Sequence, residues 1–232
     1  RLGQFGAGNI AVTGSVKFDI EPSATALVKG MKLRECIGNR PVLMCASTRN
    51  GEEARILDVL EQLDRNALLL LVPRHPQRFD DVAGMIRNRK IPMIRRSTLH
   101  DLSANALSPD TRILLGDSMG EMFMYYAACD IAFIGGSLEK LGGQNLIEAC
   151  AVGKPVLIGP HTFNFEAITK DAIAAHAAIR ITSATELMQR ANELLSDRTL
   201  HQTMSDNARL FAEKQHGATE RALELLIPLI EK

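Results

Sequence analysis

The sequence predicts an α/β fold, a doubly wound parallel sheet with helices on both faces. Three observations lead there. Short runs of strand length recur, among them Val42–Ala46, Ala67–Val72 and Ile131–Ile134. They are apolar throughout rather than alternating, as strands covered on both faces are. Segments with helical apolar spacing follow them. Polar or glycine-rich loops sit after the strands, where open parallel sheets bind their ligands.

The elements follow in order. Gly3 to Asn9 is loop-like, and the next run, Ile10 to Thr13, is strand-like. A dinucleotide fingerprint needs a strand before its glycines and a helix after them, so this segment reads instead as a linker. Ser23 can cap a helix reaching about Cys36, with Ala24, Leu27, Val28, Met31 and Leu33 as its apolar side. Gly38-Asn39-Arg40-Pro41 ends it, and strand Val42–Ala46 follows. Glu52 and Glu53 open a helix bearing Ile56, Leu57, Leu60 and Leu63. After strand Ala67–Val72 come a helix over 77–89, a short strand over 92–95, and a stretch from Ser97 to Asp110 with no clear period. Strand 112–115 leads to a helix through Ala128, for which Ser118 and Glu121 have capping-box spacing. Strand Ile131–Ile134 and a helix opening at Asn145, stopped by Gly153 and Pro155, come next. Strand 155–158, helix 166–176, strand 179–181 and helices from about Ser183, Arg198 and Ala218 complete the chain.

The stretch from Gly135 to Glu148 carries the clearest chemistry. A strand, a loop with four glycines and a helix start make a phosphate-ready unit: glycines admit a ligand close to the backbone, and a helix start offers unpaired N–H groups. Glu148, one turn inside, can accept hydrogen bonds from sugar hydroxyls, or serve as capping-box partner of Asn145. Ser47-Thr48-Arg49 can bind phosphate or cap the helix of Glu52, with capping the simpler role. Pro73-Arg74-His75-Pro76-Gln77-Arg78 sets two arginines and a histidine directly after a strand, either to contact an anion or base edge or as a solvated loop. Lys17, taken alone, is a surface charge. In a parallel sheet the loops at 47–51, 73–78, 117–121, 135–148 and 159–165 converge on one edge, which favours a common ligand for them.

Composition narrows the partners. Lys plus Arg and Asp plus Glu are 27 each, so no global field draws nucleic acid. Tryptophan is absent, which removes the strongest stacking platform. The four cysteines are scattered with no Cys-x-x-Cys pair, pointing to a reducing compartment. No apolar run reaches the roughly 20 residues of a membrane helix, and no signal peptide is evident. The chain starts at Arg1 inside a loop-like segment, as a piece cut from something longer would.

A set of motifs in fixed order is more specific than any one of them. These are Val12-Thr13-Gly14-Ser15-Val16-Lys17-Phe18-Asp19, Pro73-Arg74-His75-Pro76, Met119-Gly120-Glu121, Gly135-Gly136-Ser137, Gly142-Gly143-Gln144-Asn145 with Glu148, and Gly159-Pro160-His161-Thr162-Phe163-Asn164-Phe165. Together they resemble the carboxyl-terminal half of the bacterial Kdo (3-deoxy-D-manno-octulosonic acid) transferases of lipopolysaccharide synthesis, over nearly the whole chain. The resemblance implies a GT-B glycosyltransferase, two Rossmann-like domains facing across a cleft. Residues 1–22 would be interdomain linker and first strand, and 23–232 the domain that binds the donor, CMP-Kdo. It implies CMP contacts at Pro73, Arg74, Met119, Gly120, Glu121, Asn145, Leu146, Ile147 and Glu148, and a transition-state-stabilising role for Lys17. It implies no cofactor, no metal and no nucleic acid. The acceptor site for lipid A precursor, the carboxylate base and the association with the cytoplasmic face of the inner membrane belong to the amino-terminal half, so this chain is expected to bind donor and transfer nothing. Gln144 and Leu146 depart from the Gly-Gly-His-Asn-Pro pattern of many members, which leaves nucleotide binding intact but removes any histidine role there. The competing readings are a donor domain for a UDP- or GDP-sugar transferase or epimerase, an oxidoreductase Rossmann domain, and a non-catalytic interaction or nucleotide-binding module.

Overall fold

The computed structural model describes residues 2–8, 10–100, 102 and 107–230. Seven strands form one parallel sheet: β1 (Val42–Thr48), β2 (Leu68–Pro73), β3 (Met93–Arg95), β4 (Ile113–Leu115), β5 (Ile131–Ile134), β6 (Val156–Ile158) and β7 (Ala178–Arg180), in the order β3-β4-β2-β1-β5-β6-β7. The helices are α1 (Ala24–Ile37), α2 (Glu52–Asp58), α3 (Phe79–Asn88), α4 (Met122–Ala128), α5 (Ile147–Ala151), α6 (Glu166–Ala174), α7 (Ala184–Ser196), α8 (Arg198–Gln215) and α9 (Ala218–Ile230).

The pleat explains why the strands read as continuous apolar runs. Val42, Met44 and Ala46 of β1 point into one core, with Leu33 of α1, Tyr125 of α4, Ile147 of α5 and Phe211 of α8. Leu43 and Cys45 point into the other, with Ile56 of α2, Val82 of α3 and Leu187 of α7. Each face of the sheet therefore has its own dry layer, and every position of β1 and β2 but Ser47 is buried. Ser23 caps α1 by accepting the Ala26 N–H (3.2 Å), and Ser183 caps α7 through the Glu186 N–H (3.1 Å). Helices α1 and α4 lie so close at Gly30 that a Cβ there would sit 2.3 Å from Ala127 Cβ and 2.8 Å from the Met124 carbonyl. Glycine in mid-helix is retained for that approach.

The amino-terminal segment differs from expectation. Ile10 to Thr13 forms no strand; the sheet begins at Val42. Val12 is 92% exposed, so no apolar face drives pairing. The segment instead runs past the start of α9. Asp19 accepts the N–H groups of Gly217 (2.7 Å), Ala218 (3.3 Å) and Thr219 (2.6 Å), and the Arg221 guanidinium donates to the Thr13 carbonyl (3.0 Å). Between these contacts a 3-10 turn, Val16–Phe18, carries Lys17. Asn9 of the linker, and Asp101 and 103–106 of the stretch without a clear period, lie outside the described residues. The helix opened by Glu52 is shorter than expected: α2 ends at Asp58, and Leu60–Gln62 forms a separate 3-10 turn before Leu63. Among the other boundaries, α5 starts at Ile147 rather than Asn145, and α6 ends at Ala174 before His176 turns left-handed.

The Asp19 latch has a pH signature. The Thr219 hydroxyl and N–H, with the neighbouring amides, hold its carboxyl down from 3.8 to about 2. A lowered carboxyl stabilises the fold above its ordinary range and loses that contribution only as pH falls through its folded value. The amide resonances of Gly217, Ala218 and Thr219 should therefore keep their positions at pH 4 and shift as the pH approaches 2. A shift centred near pH 4 would show that the latch is not made.

Candidate functional site

The sheet changes winding direction between β1 and β5, and the crevice outside their carboxyl ends is where such sheets take ligands. Its floor is built by backbone passing close to backbone. A Cβ on Gly135 would lie 2.6 Å from the Ser47 carbonyl and 2.7 Å from Thr48 Cα, and one on Gly159 would lie 2.3 Å from the Ser137 carbonyl. Only glycine lets the end of β1 and the loops after β5 and β6 meet. Buried Ser137 joins two of them: its hydroxyl accepts the Gly159 N–H (2.8 Å), and its carbonyl accepts the His161 N–H (2.9 Å).

Two adjacent carboxylates at the start of α2, both fully buried, tie the remaining loops together. Glu52 accepts the N–H groups of Arg49 (2.9 Å), Gly136 (2.7 Å), Ser137 (3.0 Å) and Leu138 (2.9 Å). Burial pushes its carboxyl upward, against the pull of those four groups. Glu53 accepts from the Thr48 hydroxyl and from Arg78, each at 3.1 Å, and so anchors the loop after β2. The expected cap from Ser47-Thr48-Arg49 is not made: Gly51 holds the N-cap position of α2 with no side-chain cap, and the Thr48 hydroxyl goes to Glu53, so the local reading of this loop missed the partners of Glu52. Full burial of two consecutive acids is a tertiary fact, and the two-glutamate start of a short helix was the only sequence trace of it.

The phosphate-ready reading of 135–148 needs a correction here. The amides of Gly136, Ser137 and Leu138, which a phosphate would use, are occupied by Glu52. The helix behind them is short, and the Asn145 carboxamide oxygen takes the Ile147 N–H (3.0 Å). Asn145 thus serves the helix start. Glu148 does not complete a capping box: among the described residues its half-buried carboxylate makes no hydrogen bond or ion pair. Burial pushes its carboxyl up, and the charge of Arg74 pulls it down. Leu146 and Ile147 are fully buried, so their side chains belong to the core and only their backbone can reach the crevice.

The loops after β2 and β4 supply the rest. Pro73 is buried at the end of β2, paired with Thr48, and the Arg74 N–H donates to the Thr48 carbonyl (2.9 Å). The Arg74 side chain is exposed, and among the described residues its guanidinium has no hydrogen-bond or ion-pair partner. Arg74 and Glu148 therefore come from different loops to within electrostatic reach of each other, both uncommitted. Glu121 is in the opposite condition. Arg96 donates to one carboxylate oxygen (3.0 Å), and the Ser118 hydroxyl, itself bonded to the Tyr125 hydroxyl, donates to the other. The expected Ser118 cap is absent: Glu121 occupies the N-cap position of α4, and Ser118 faces side chains instead. Gly120 turns with φ +75°, leaving Met119, 60% exposed, at the loop tip.

Lys17 lies apart from these residues. It lines an open groove of about 700 Å³ with Ser15, Phe18 and residues 163–168. A neighbouring groove of about 420 Å³ is lined by His161, Lys170 and Arg180, among others. Asn164 closes the gap toward the glycine loop, donating from its backbone to the Gly142 carbonyl (3.1 Å) and from its side chain to the Leu141 carbonyl (3.3 Å).

Comparison with known proteins agrees with this geometry. Residues 56–211 match the family described as glycosyl transferases group 1. The chain is 44% identical to a 3-deoxy-D-manno-octulosonic acid transferase of Bordetella pertussis, over 97% of this chain and 53% of that protein. It is 38% identical to the transferase of the same name from Haemophilus influenzae, over 95% of this chain and 52% of that one. It thus spans about half the length of these curated relatives. Among solved structures, the C-terminal CMP-Kdo binding domain of WaaA from Acinetobacter baumannii superposes with a TM-score of 0.75 at 29% identity, covering 82% of this chain and 98% of that one. The chain belongs to the group 1 glycosyl transferases, as a Rossmann-like domain of the GT-B fold.

Proposed function

We propose that this chain is the carboxyl-terminal, donor-binding half of an enzyme that transfers Kdo from CMP-Kdo to a lipid A precursor, with residues 23–232 as the donor domain. The observation that carries the reading is the pair Arg74 and Glu148, which come from different loops to within electrostatic reach of each other with no hydrogen-bond or ion-pair partner among the described residues. The likeness to a CMP-Kdo binding domain over 98% of that domain's length supports the choice of donor.

In this reading Arg74 takes the phosphate, where a planar guanidinium gives directed, charged hydrogen bonds. Glu148 accepts hydrogen bonds from the ribose hydroxyls; Glu121, already engaged by Arg96 and Ser118, shapes the loop that offers the backbone of Met119 and Gly120 to the cytosine edge. Pro73, Asn145, Leu146 and Ile147 contribute through backbone position rather than side-chain chemistry. Transfer forms a bond between the acceptor oxygen and the anomeric carbon as the bond from that carbon to the CMP phosphate breaks. CMP leaves with the electron pair, so positive charge near the phosphate strengthens its hold as the reaction advances. Lys17, on the side of the loop after β6, is assigned that stabilisation nearer the sugar. The base, the acceptor site and the contact with the inner membrane are assigned to the amino-terminal half. Among the described residues, no helix is long and apolar enough to cross a membrane.

Three outcomes follow. CMP should raise the melting temperature of the chain, since a ligand at a hundredfold excess over its dissociation constant stabilises the native state by about 2.7 kcal/mol. A folded sample that shifts with UMP or GMP but not CMP would move the assignment to another nucleotide-sugar, and one that shifts with none would remove it. Arg74→Ala should weaken CMP by about 1.5–3 kcal/mol, the range for a hydrogen bond to a charged group, and weaken cytidine much less. Equal losses by calorimetry would move Arg74 from phosphate to nucleoside. In the full-length enzyme, Lys17→Ala should lower kcat far more than donor affinity, as expected of a group acting mainly in the transition state. A loss confined to KM would make Lys17 a ground-state binding residue.

A further inference from the structure

We propose that Glu52 is the positioning residue of the donor site, a built-in anion that occupies the glycine loop's amide cradle and sets the geometry of the loops that hold the nucleotide. The inference rests on the donor reading for what the loops hold, but not for how they are held. Four N–H groups converge on the two oxygens of one carboxylate, two on each: Arg49 and Gly136 on Oε2, Ser137 and Leu138 on Oε1. All four partners are donors, so the arrangement is complementary to the ionised form; a proton would set an O–H against an N–H. Gly136, with φ +69°, makes the turn that points successive amides inward, the geometry of an anion-binding nest. The occupant is already present, supplied by the chain and fully buried.

Two consequences make this more than a structural contact. The cradle is filled, so in the donor reading the phosphate has to be held by other groups, and the uncommitted Arg74 is assigned to it. The hold also propagates. The Gly136 carbonyl accepts the Gly143 N–H (2.7 Å), and residues 142–146 lead directly into Glu148; Ser137, one amide further on, fixes Gly159 and His161. Glu52 is fully buried beneath the crevice floor, yet it governs where Glu148 stands.

The test separates positioning from bulk stability by chemical rescue. In the wild-type chain the amides of Gly136, Ser137 and Leu138 should exchange slowly with deuterium; rapid exchange would overturn the proposal. Glu52→Ala leaves an empty, amide-lined hole and should weaken CMP by about ten- to hundredfold, the effect of losing charged hydrogen bonds behind a binding loop. Added formate should restore both CMP affinity and protection of the three amides saturably, whereas chloride at equal ionic strength should restore neither. Glu52→Gln still fills the space but turns an NH₂ toward donors; it should lose protection and gain nothing from formate. Wild-type CMP affinity in either variant, or formate rescue of Glu52→Gln, would overturn the inference. If Glu52→Ala does not fold, Glu52→Gln and the wild-type exchange decide it. Amide protection and its return with formate are read without nucleotide, so a wild-type chain that fails to bind CMP counts against the donor reading alone.

Discussion

Four backbone N–H groups gathered on one buried carboxylate hold together the end of the molecule where its strands finish. The constraint behind them is general. Loops that leave a parallel sheet side by side bring their amides and carbonyls into a region largely closed to water, and each such group must find a partner. The loop after β5 passes within backbone contact of the end of β1 and of the loop after β6, so it cannot be solvated. Glu52 satisfies its amides from below, Ser137 joins it to the loop after β6, and Glu53 extends the same support to Arg78 and the loop after β2.

A second polar network supports the other side of the crevice. Asp117 accepts from the Ser97 N–H (2.8 Å), from the Ser97 hydroxyl (2.6 Å) and from Arg95 (2.6 Å), and Arg95 also reaches Asp80 (2.7 Å). Burial opposes ionisation of Asp117, but Ser97 and Arg95 outweigh it and hold the carboxyl below its ordinary range. One step along, Arg96, Glu121, Ser118 and Tyr125 form the next set. With these groups paired among themselves, the unpaired Arg74 and Glu148 stand out. A crevice whose loops are tied by such networks is preorganised: little reorganisation remains when a ligand arrives.

What the sequence made legible follows from which interactions are local. The central strands of the sheet were readable because burial on both faces leaves an unbroken apolar run, and Ser23 and Ser183 were readable because an N-cap is decided within four residues. Ile10–Thr13 misled because its composition is strand-like, while a strand also needs a neighbour, and Val12 has none. Ser118 misled for the complementary reason: its spacing from Glu121 suits a capping box, but Arg96 and Tyr125, distant in sequence or on the next turn, compete for the same oxygens. Of the site, the five convergent loops were legible from topology. The occupancy of the glycine amides was not, because the distance from Glu52 to Gly136 in sequence carries no periodic or spacing signal. Nor was the latch of Asp19 onto α9, which joins residues from opposite ends of the chain.

The strand order gives the proposed ligand a direction. Along the carboxyl edge, Met119 and Gly120 follow β4, Arg74 follows β2, Glu148 lies beyond the loop of β5, and the groove of Lys17 borders the loop after β6. From β4 to β6 is four strand spacings, roughly 19 Å at the usual separation of sheet neighbours. That is an extended span, suited to a ligand laid across the edge with its base at one end and its sugar at the other, in keeping with a Lys17 groove lined by the loop after β6. A cation at the sugar end need not contribute to holding the nucleotide. It needs only to be held in register with it, and that register comes from two latches: Asp19 fixes the turn of Lys17 to α9, and Glu52 fixes the loops that hold Glu148. Neither acid touches the ligand in this arrangement, so the geometry between the two ends of the site rests on residues outside it.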